Sequence, residues 1–237
     1  MKNHEAILEK LHNLHEKGPL IHRFETERSS ESPGPKRFYG VAKDLVQYIL
    51  ATVDKNMTTA ETGCGISTLA FSAIGATHTV ITPDAGEESA VRKEAEIAEI
   101  SLSKTRFVIG LSEDVLPRLE FTHLSLALVD GKHAFPWPII DWFYFARAMK
   151  KDSIMIIDDA SMPSVKMLCD VLDCSPSDWR KIESFGGGQS LVYKCLKENA
   201  LDVIWNEQLM NQGFGKPSFR ARVIGKLRSM LKPKSRA

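Results

Sequence analysis

The stretch Thr58-Thr59-Ala60-Glu61-Thr62-Gly63-Cys64-Gly65-Ile66-Ser67-Thr68-Leu69-Ala70 constrains the fold more than any other. A short β-prone run ends in two glycines one residue apart, and an apolar pattern at helical spacing follows at once (Leu69, Phe71, Ile74). Strand, glycine turn and helix in that order leave free backbone N–H groups at the top of a sheet. There Gly63 and Gly65 let the chain turn sharply and let a ligand approach the main chain. An ordinary tight turn uses the same residues, so the loop alone names no ligand. Glu61 narrows the choice: a carboxylate at this edge repels phosphates and suits a ligand carrying an ammonium or sulfonium group. The third glycine of the dinucleotide fingerprint is missing, because Thr68 stands in its place.

Around this loop the apolar pattern alternates between strand and helix. Residues 3–16 place Ile7, Leu8, Leu11 and Leu14 at helical spacing, with His4, His12 and His15 reading as polar-face residues. Residues 26–36 are rich in Ser, Pro, Gly and charge and read as a loop. A helix with Val41, Leu45, Val46, Ile49 and Leu50 on one face leads into the glycine motif. Beyond it, residues 78–84 read as a second strand ending at Asp84, where nucleoside-binding α/β folds place a carboxylate against ribose hydroxyls. A cap for the following helix is the other reading of Asp84, and Pro83 leaves the register open by one residue. The pattern continues with a helix over 87–102, strands over 106–110 and 124–129, a helix over 137–149 and a strand over 153–157. One more helix carries Val165, Leu168, Cys169 and Leu172. Near-continuous apolar strands between helices indicate a parallel sheet covered on both faces. Residues 179–185 and 190–196 then form two strands joined only by Gly186-Gly187-Gly188-Gln189, too short for a helical crossover, so this pair is antiparallel.

At 237 residues with 43% hydrophobic content, one α/β domain with added helices fits the length. The organisation expected is an N-terminal helix and loop over 1–39, a domain over 40–197 and a tail over 198–237. No apolar run approaches the roughly 20 residues that span a bilayer, and no apolar segment of the secretory type follows Met1. The four cysteines show no CxxC pair and read as reduced thiols, so a cytoplasmic protein is expected. Charge is uneven. Residues 208–237 hold eight Lys or Arg and no acid, leaving 23 basic and 30 acidic residues elsewhere, a net −7. Phe219, Val223, Leu227, Met230 and Leu231 fall at helical spacing beside Arg220, Arg222, Lys226 and Arg228. An apolar stripe with a basic rim suits peripheral contact with an anionic membrane leaflet, and packing on the domain is the alternative. Phe219 is the only aromatic near the basic cluster, which argues against nucleic acid as a partner. Oligomeric state carries no sequence signal.

A second cluster completes the pattern: Asp130-Gly131-Lys132-His133-Ala134-Phe135, then Asp141, then Asp158-Asp159. Both acidic groups end apolar strands, where open α/β sheets bind ligands. Three carboxylates at one rim repel one another unless a cation, a proton or a cationic ligand neutralises them, and oxygen ligands suit magnesium, calcium or manganese. A helix cap with loop hydrogen bonds is the alternative for Asp158-Asp159.

The ExGxGxST form of Glu61–Thr68 resembles the first motif of class I S-adenosylmethionine-dependent methyltransferases. The DGxH-aromatic stretch, the Asp six residues after the aromatic and the DD pair look like a branch acting on oxygen nucleophiles. That branch is related in pattern to catechol-type metal-dependent enzymes and some sugar O-methyltransferases. The match spans roughly residues 40–197. It implies a doubly wound, Rossmann-like seven-stranded α/β sheet, mostly parallel, closed by an antiparallel C-terminal hairpin. It implies that Glu61, Gly63, Gly65, Ser67, Thr68, Asp84, Ser112, Glu113 and Asp130 hold S-adenosylmethionine. By the same resemblance, Asp130, Asp158 and Asp159 hold Mg2+ or another divalent cation. The catechol type has a basic residue three places after its first Asp as general base; His133 stands there, a departure from Lys. The function expected is methyl transfer to a hydroxyl of a small molecule or glycan, with His133 and Asp130 catalytic. A nicotinamide-dependent oxidoreductase shares the sheet, although Glu61 and Thr68 argue against it, and a non-catalytic cofactor-binding module docking through its tail is the third reading.

Overall fold

The computed structural model describes residues 5–11, 40–198, 201 and 211. The chain divides into two compact units, Met1–Asp202 and Val203–Ala237. The expected loop over 26–36 and the tail helix with its basic rim lie outside the described residues. In the first unit, residues 5–11 are helical and Leu11 is buried.

A seven-stranded sheet forms the centre, in the order β3-β2-β1-β4-β5-β7-β6. Its strands are β1 Thr58–Thr62, β2 Thr77–Thr82, β3 Thr105–Ile109, β4 Leu124–Val129, β5 Met149–Ile157, β6 Trp179–Phe185 and β7 Ser190–Cys195. The helices are α1 Lys43–Thr52, α2 Ile66–Ile74, α3 Ala85–Ile97, α4 Trp137–Arg147 and α5 Pro163–Asp173. The first five strands pair in parallel, while β7 runs antiparallel to both β5 and β6. This is the mostly parallel sheet with a closing hairpin that the sequence implies.

Both faces of the sheet are covered, which explains the unbroken apolar runs. Along β4, Leu126 and Leu128 pack with Leu45, Ile49, Leu69 and Phe71 of α1 and α2. The intervening Ala127 and Val129 pack with Phe145 of α4 and Val165 and Leu168 of α5. Successive side chains on a strand point to opposite faces, so a strand buried on both sides reads as apolar throughout. Burying such side chains contributes about 1.5–3 kcal/mol each relative to exposure.

Boundaries depart from the sequence expectation where local geometry is irregular. The second strand stops at Thr82, so Pro83 and Asp84 lie beyond it. The helix that follows ends at Ile97 rather than 102. β5 begins at Met149, not 153, and its pairing with β4 shifts register between Leu124 and Leu126. Asp152 adopts φ +74° inside it, a conformation that apolar patterning does not reveal.

The strand order reverses between β1 and β4, which have their connections on opposite sides. In open α/β sheets the crevice outside such a switch point is where ligands bind. Backbone bonds tie the strand ends together there: Gly63 N–H donates to Ile81 O, Asp130 N–H to Thr62 O and Asp158 N–H to Val129 O.

Candidate active site

A cleft of about 590 Å³ opens over the C-terminal ends of β1, β2, β4 and β5. The glycine loop forms one part of its wall and the second acidic cluster another. Gly63 has φ +84°, and a Cβ placed on it would sit 2.2 Å from the carbonyl oxygen of Asp130. No other residue fits where β1 and β4 end side by side. Gly65 precedes α2, and its N–H donates to the Thr68 hydroxyl at 3.0 Å. That hydroxyl in turn donates to Glu61 Oε1.

Glu61 is therefore placed differently from the sequence expectation. It is fully buried beneath the loop, as is Thr68, and neither lines the cleft. Its Oε1 also lies 3.2 Å from His78 Nε2, while His78 Nδ1 is 2.8 Å from the Thr59 hydroxyl. The ring of Phe71 stacks on His78 at 4.5 Å. Partners supplied by β2 and α2 hold Oε1 inside the strand–helix junction, while Oε2 is buried there without a hydrogen-bond partner.

Asp84 is also placed away from the cleft. It caps α3, with Oδ1 accepting from Gly86 N–H at 2.7 Å. Glu87, three residues on, lines the cleft instead and accepts from the Thr82 hydroxyl and, at 3.6 Å, from the Cys64 thiol. Burial, reinforced by the carboxylates of Glu87 and Glu61, pushes the Cys64 thiol up and keeps it uncharged. Gly63, Gly65, Ser67, Ser112 and Glu113 do line the cleft, the last two opening a one-turn helix after β3.

At the other end, Asp130, His133 and Asp159 meet, with 25%, 30% and 30% of their side chains exposed. His133 Nε2 lies 3.5 Å from Asp130 Oδ1 and 3.2 Å from Asp159 Oδ2. The exposed quarter of Asp130 opens into the cleft. Burial, with Asp158 and Asp159 adding to it and His133 opposing, pushes its carboxyl up to about 7. The Asp130 carboxylate in turn raises His133, against the opposing effect of burial.

Asp158 stands apart from these three. It is 3% exposed, accepts from the Ser190 hydroxyl on β7, and is raised chiefly by burial. One ligand atom each from Asp130, His133 and Asp159 lies within 4.8 Å of the others. That set, an imidazole and two carboxylates, has donors of the kind a divalent cation takes, and Asp158 lines the same cleft. The β5–β7 pairing sets Ser190 beside Asp158.

Three further residues at the site carried no sequence signal. Gln189 Nε2 donates to Asp159 Oδ1 at 3.1 Å, and Ser190 holds Asp158. Met162 lines the cleft with 41% of its surface exposed. The glycine-rich turn before Gln189 is a hairpin turn as expected, with Gly186, Gly187 and Gly188 at φ +58°, +67° and +100°.

No family model and no curated protein sequence matches the chain. Solved structures do. A putative O-methyltransferase from Klebsiella pneumoniae superposes with TM-score 0.58 at 13% identity, covering 77% of this chain and 99% of that one. The O-methyltransferase TomG from Streptomyces achromogenes, in complex with SAM, gives 0.58 at 14% identity, covering 79% and 90%. This is the class I methyltransferase fold. An rRNA methylase from Streptococcus thermophilus matches it too, with TM-score 0.52, 8% identity, and 65% and 96% covered. The methyltransferase fold thus spans very different acceptors, and the acceptor has to be argued from the cleft.

Proposed function

We propose that the chain transfers a methyl group from S-adenosylmethionine to a hydroxyl oxygen of a small molecule or glycan. The observation that carries this reading is a cleft with the glycine loop on one wall and the Asp130–His133–Asp159 cluster on another. Its volume of about 590 Å³ lies within the range of roughly 300–1,000 Å³ common for small-molecule sites. Gly63, Gly65 and Ser67 hold the amino-acid part of the cofactor through backbone and hydroxyl groups. Ser112 and Glu113 meet the adenine, and Glu87, reached through the turn that Asp84 caps, receives the ribose hydroxyls. TomG, which shares the fold, was solved with this cofactor.

Methyl transfer is an in-line displacement: the acceptor O–CH3 bond forms as the S–CH3 bond breaks, and the sulfonium becomes a neutral thioether. Holding acceptor and methyl together in a water-poor cleft supplies much of the acceleration. The acceptor proton leaves to a base at the same end of the cleft, where His133 and the two carboxylates gather. His133 takes that proton directly when the cluster holds no metal. A divalent cation held there supplies Lewis acidity that lowers the acceptor pKa. His133→Ala loses about 10²–10⁴-fold in rate, measured by mass-spectrometric detection of methylated product from a mixture of hydroxylated acceptors. No product from any hydroxylated acceptor, with cofactor bound, contradicts the reading and leaves a binding module.

The basic stripe of residues 220–228 favours anionic lipid as a peripheral partner. Co-sedimentation with anionic vesicles falls with salt and is lost on truncation after Asn206; equal sedimentation of both chains overturns it.

A further inference from the structure

We infer that His78 is a positioning residue for the cofactor, fixing the glycine loop from inside the sheet through Glu61 and Thr68. The inference rests on reading that loop as the S-adenosylmethionine site. It assigns a task to a buried imidazole that the methyl transfer itself does not use.

Strand register builds the arrangement. Thr59 and His78 are paired across β1 and β2, and Glu61, two residues along β1, shares a face with Thr59. His78 Nδ1 lies 2.8 Å from the Thr59 hydroxyl, while Nε2 lies 3.2 Å from Glu61 Oε1. Phe71 of α2 stacks on the imidazole with the two planes 23° apart and holds the ring in place. The side chains of His78 and Glu61 are both 0% exposed.

The bonds run in one direction. An ionised carboxylate only accepts, and a hydroxyl has a single hydrogen to give. Thr68 gives that hydrogen to Glu61 Oε1, which leaves its oxygen to accept from Gly65 N–H at 3.0 Å. On the other side Nε2–H donates to the same carboxylate oxygen, and Nδ1 accepts from Thr59. Of these five residues, Gly65 alone lines the cleft. Its N–H is turned inward, and the course of the main chain from Gly63 to Ser67 is set with it.

Stability does not account for this network. Replacing a buried ion pair by apolar side chains of similar volume is often neutral or stabilising, and here Glu61 Oε2 is buried with no hydrogen-bond partner. Losing the imidazole leaves the carboxylate one donor in place of two, in a core where an unmet polar group is costly. The carboxylate and Thr68 then shift together, and Gly65 moves with them.

Long-range 1H–15N correlation of the histidine rings in the full-length chain tests the wild type first. A proton on His78 Nε2 is expected; a ring bare at Nε2 offers Glu61 no donor and overturns the inference without any variant. S-adenosylmethionine is then titrated by calorimetry into wild type, His78→Leu, His78→Gln and Thr68→Val, each with its urea unfolding curve. Binding weaker by about tenfold or more is expected for His78→Leu and Thr68→Val, the scale of a lost hydrogen bond to a charged group. His78→Gln keeps an N–H for the carboxylate and is expected within about threefold of wild type. His78→Leu and Thr68→Val combined weaken binding by less than the product of the two effects, because both act on one carboxylate; the full product overturns the relay. Variants that lose only stability and, when folded, bind like wild type overturn the inference, as does His78→Gln binding no better than His78→Leu. If the variants do not fold, the proton position in the wild type decides. Wild type that binds the cofactor beside unaffected variants leaves the methyltransferase reading standing, whereas wild type that binds none removes both.

Discussion

Gly63 shows how a single residue can be read from sequence and then explained by contact. Its place after a β-prone run marks a turn, and the structure supplies the reason: φ +84° and a carbonyl oxygen 2.2 Å from any added Cβ. Gly63→Ala is expected to cost more than about 1–3 kcal/mol, since backbone strain adds to a clash with main chain. Urea unfolding checks this, and a loss below about 0.5 kcal/mol contradicts the close approach of β1 and β4. Glu61 was equally visible in the sequence but not its role, because its partner His78 lies 17 residues away on another strand. Asp141 is the second residue whose surroundings matter. It is fully buried, neither carboxylate oxygen has a well-aligned partner, and burial pushes it from 3.8 up to about 6, with Ser112 and Thr62 opposing. Its pKa is raised on folding, so the folded state binds the extra proton between those two values. Stability therefore falls as pH rises through that window. Asp141→Asn removes the slope. Its stability relative to wild type should grow from near zero at pH 4 to on the order of 2–3 kcal/mol at pH 7. A difference independent of pH contradicts this account of Asp141.

At the scale of elements, the strands and helices were legible because both faces of the sheet are packed and apolar runs mark them. Leu126 and Leu128 serve one core and Ala127 and Val129 the other, which leaves no polar alternation to confuse β4. The ends were less legible. The irregular pairing near Asp152 lets β5 start at Met149, and the turn chemistry at Asp84 hands the cleft to Glu87. The β6–β7 turn held the most that sequence did not reveal. Gly186 N–H donates to both oxygens of Asp44 at the start of α1, at 3.2 and 3.1 Å, while Gln189 reaches Asp159. One turn therefore links α1 to the acidic cluster, and the glycines mark it only as a turn. Gln189→Ala is expected to lower kcat at least about tenfold and to leave the Kd for S-adenosylmethionine within twofold. An equal loss in both places Gln189 at the cofactor instead.

At the scale of the whole molecule, the strand order brings together what the sequence spreads over nearly 100 residues: Gly63, Asp130 and the acidic pair after β5 meet at one switch point. The sheet implied by the motifs is the sheet found. Which acid faces the cleft depended on hydrogen bonds from β2, β7 and α3 that no local pattern encodes. The same switch-point cleft supports nucleotide cofactors of several kinds, so the central claim is the identity of the cofactor. Calorimetric titration of the full chain with S-adenosylmethionine, and separately with NAD, tests it most directly. One S-adenosylmethionine bound per chain and no binding of NAD is the result expected. Folded protein that binds no S-adenosylmethionine, or binds NAD in its place, contradicts the account.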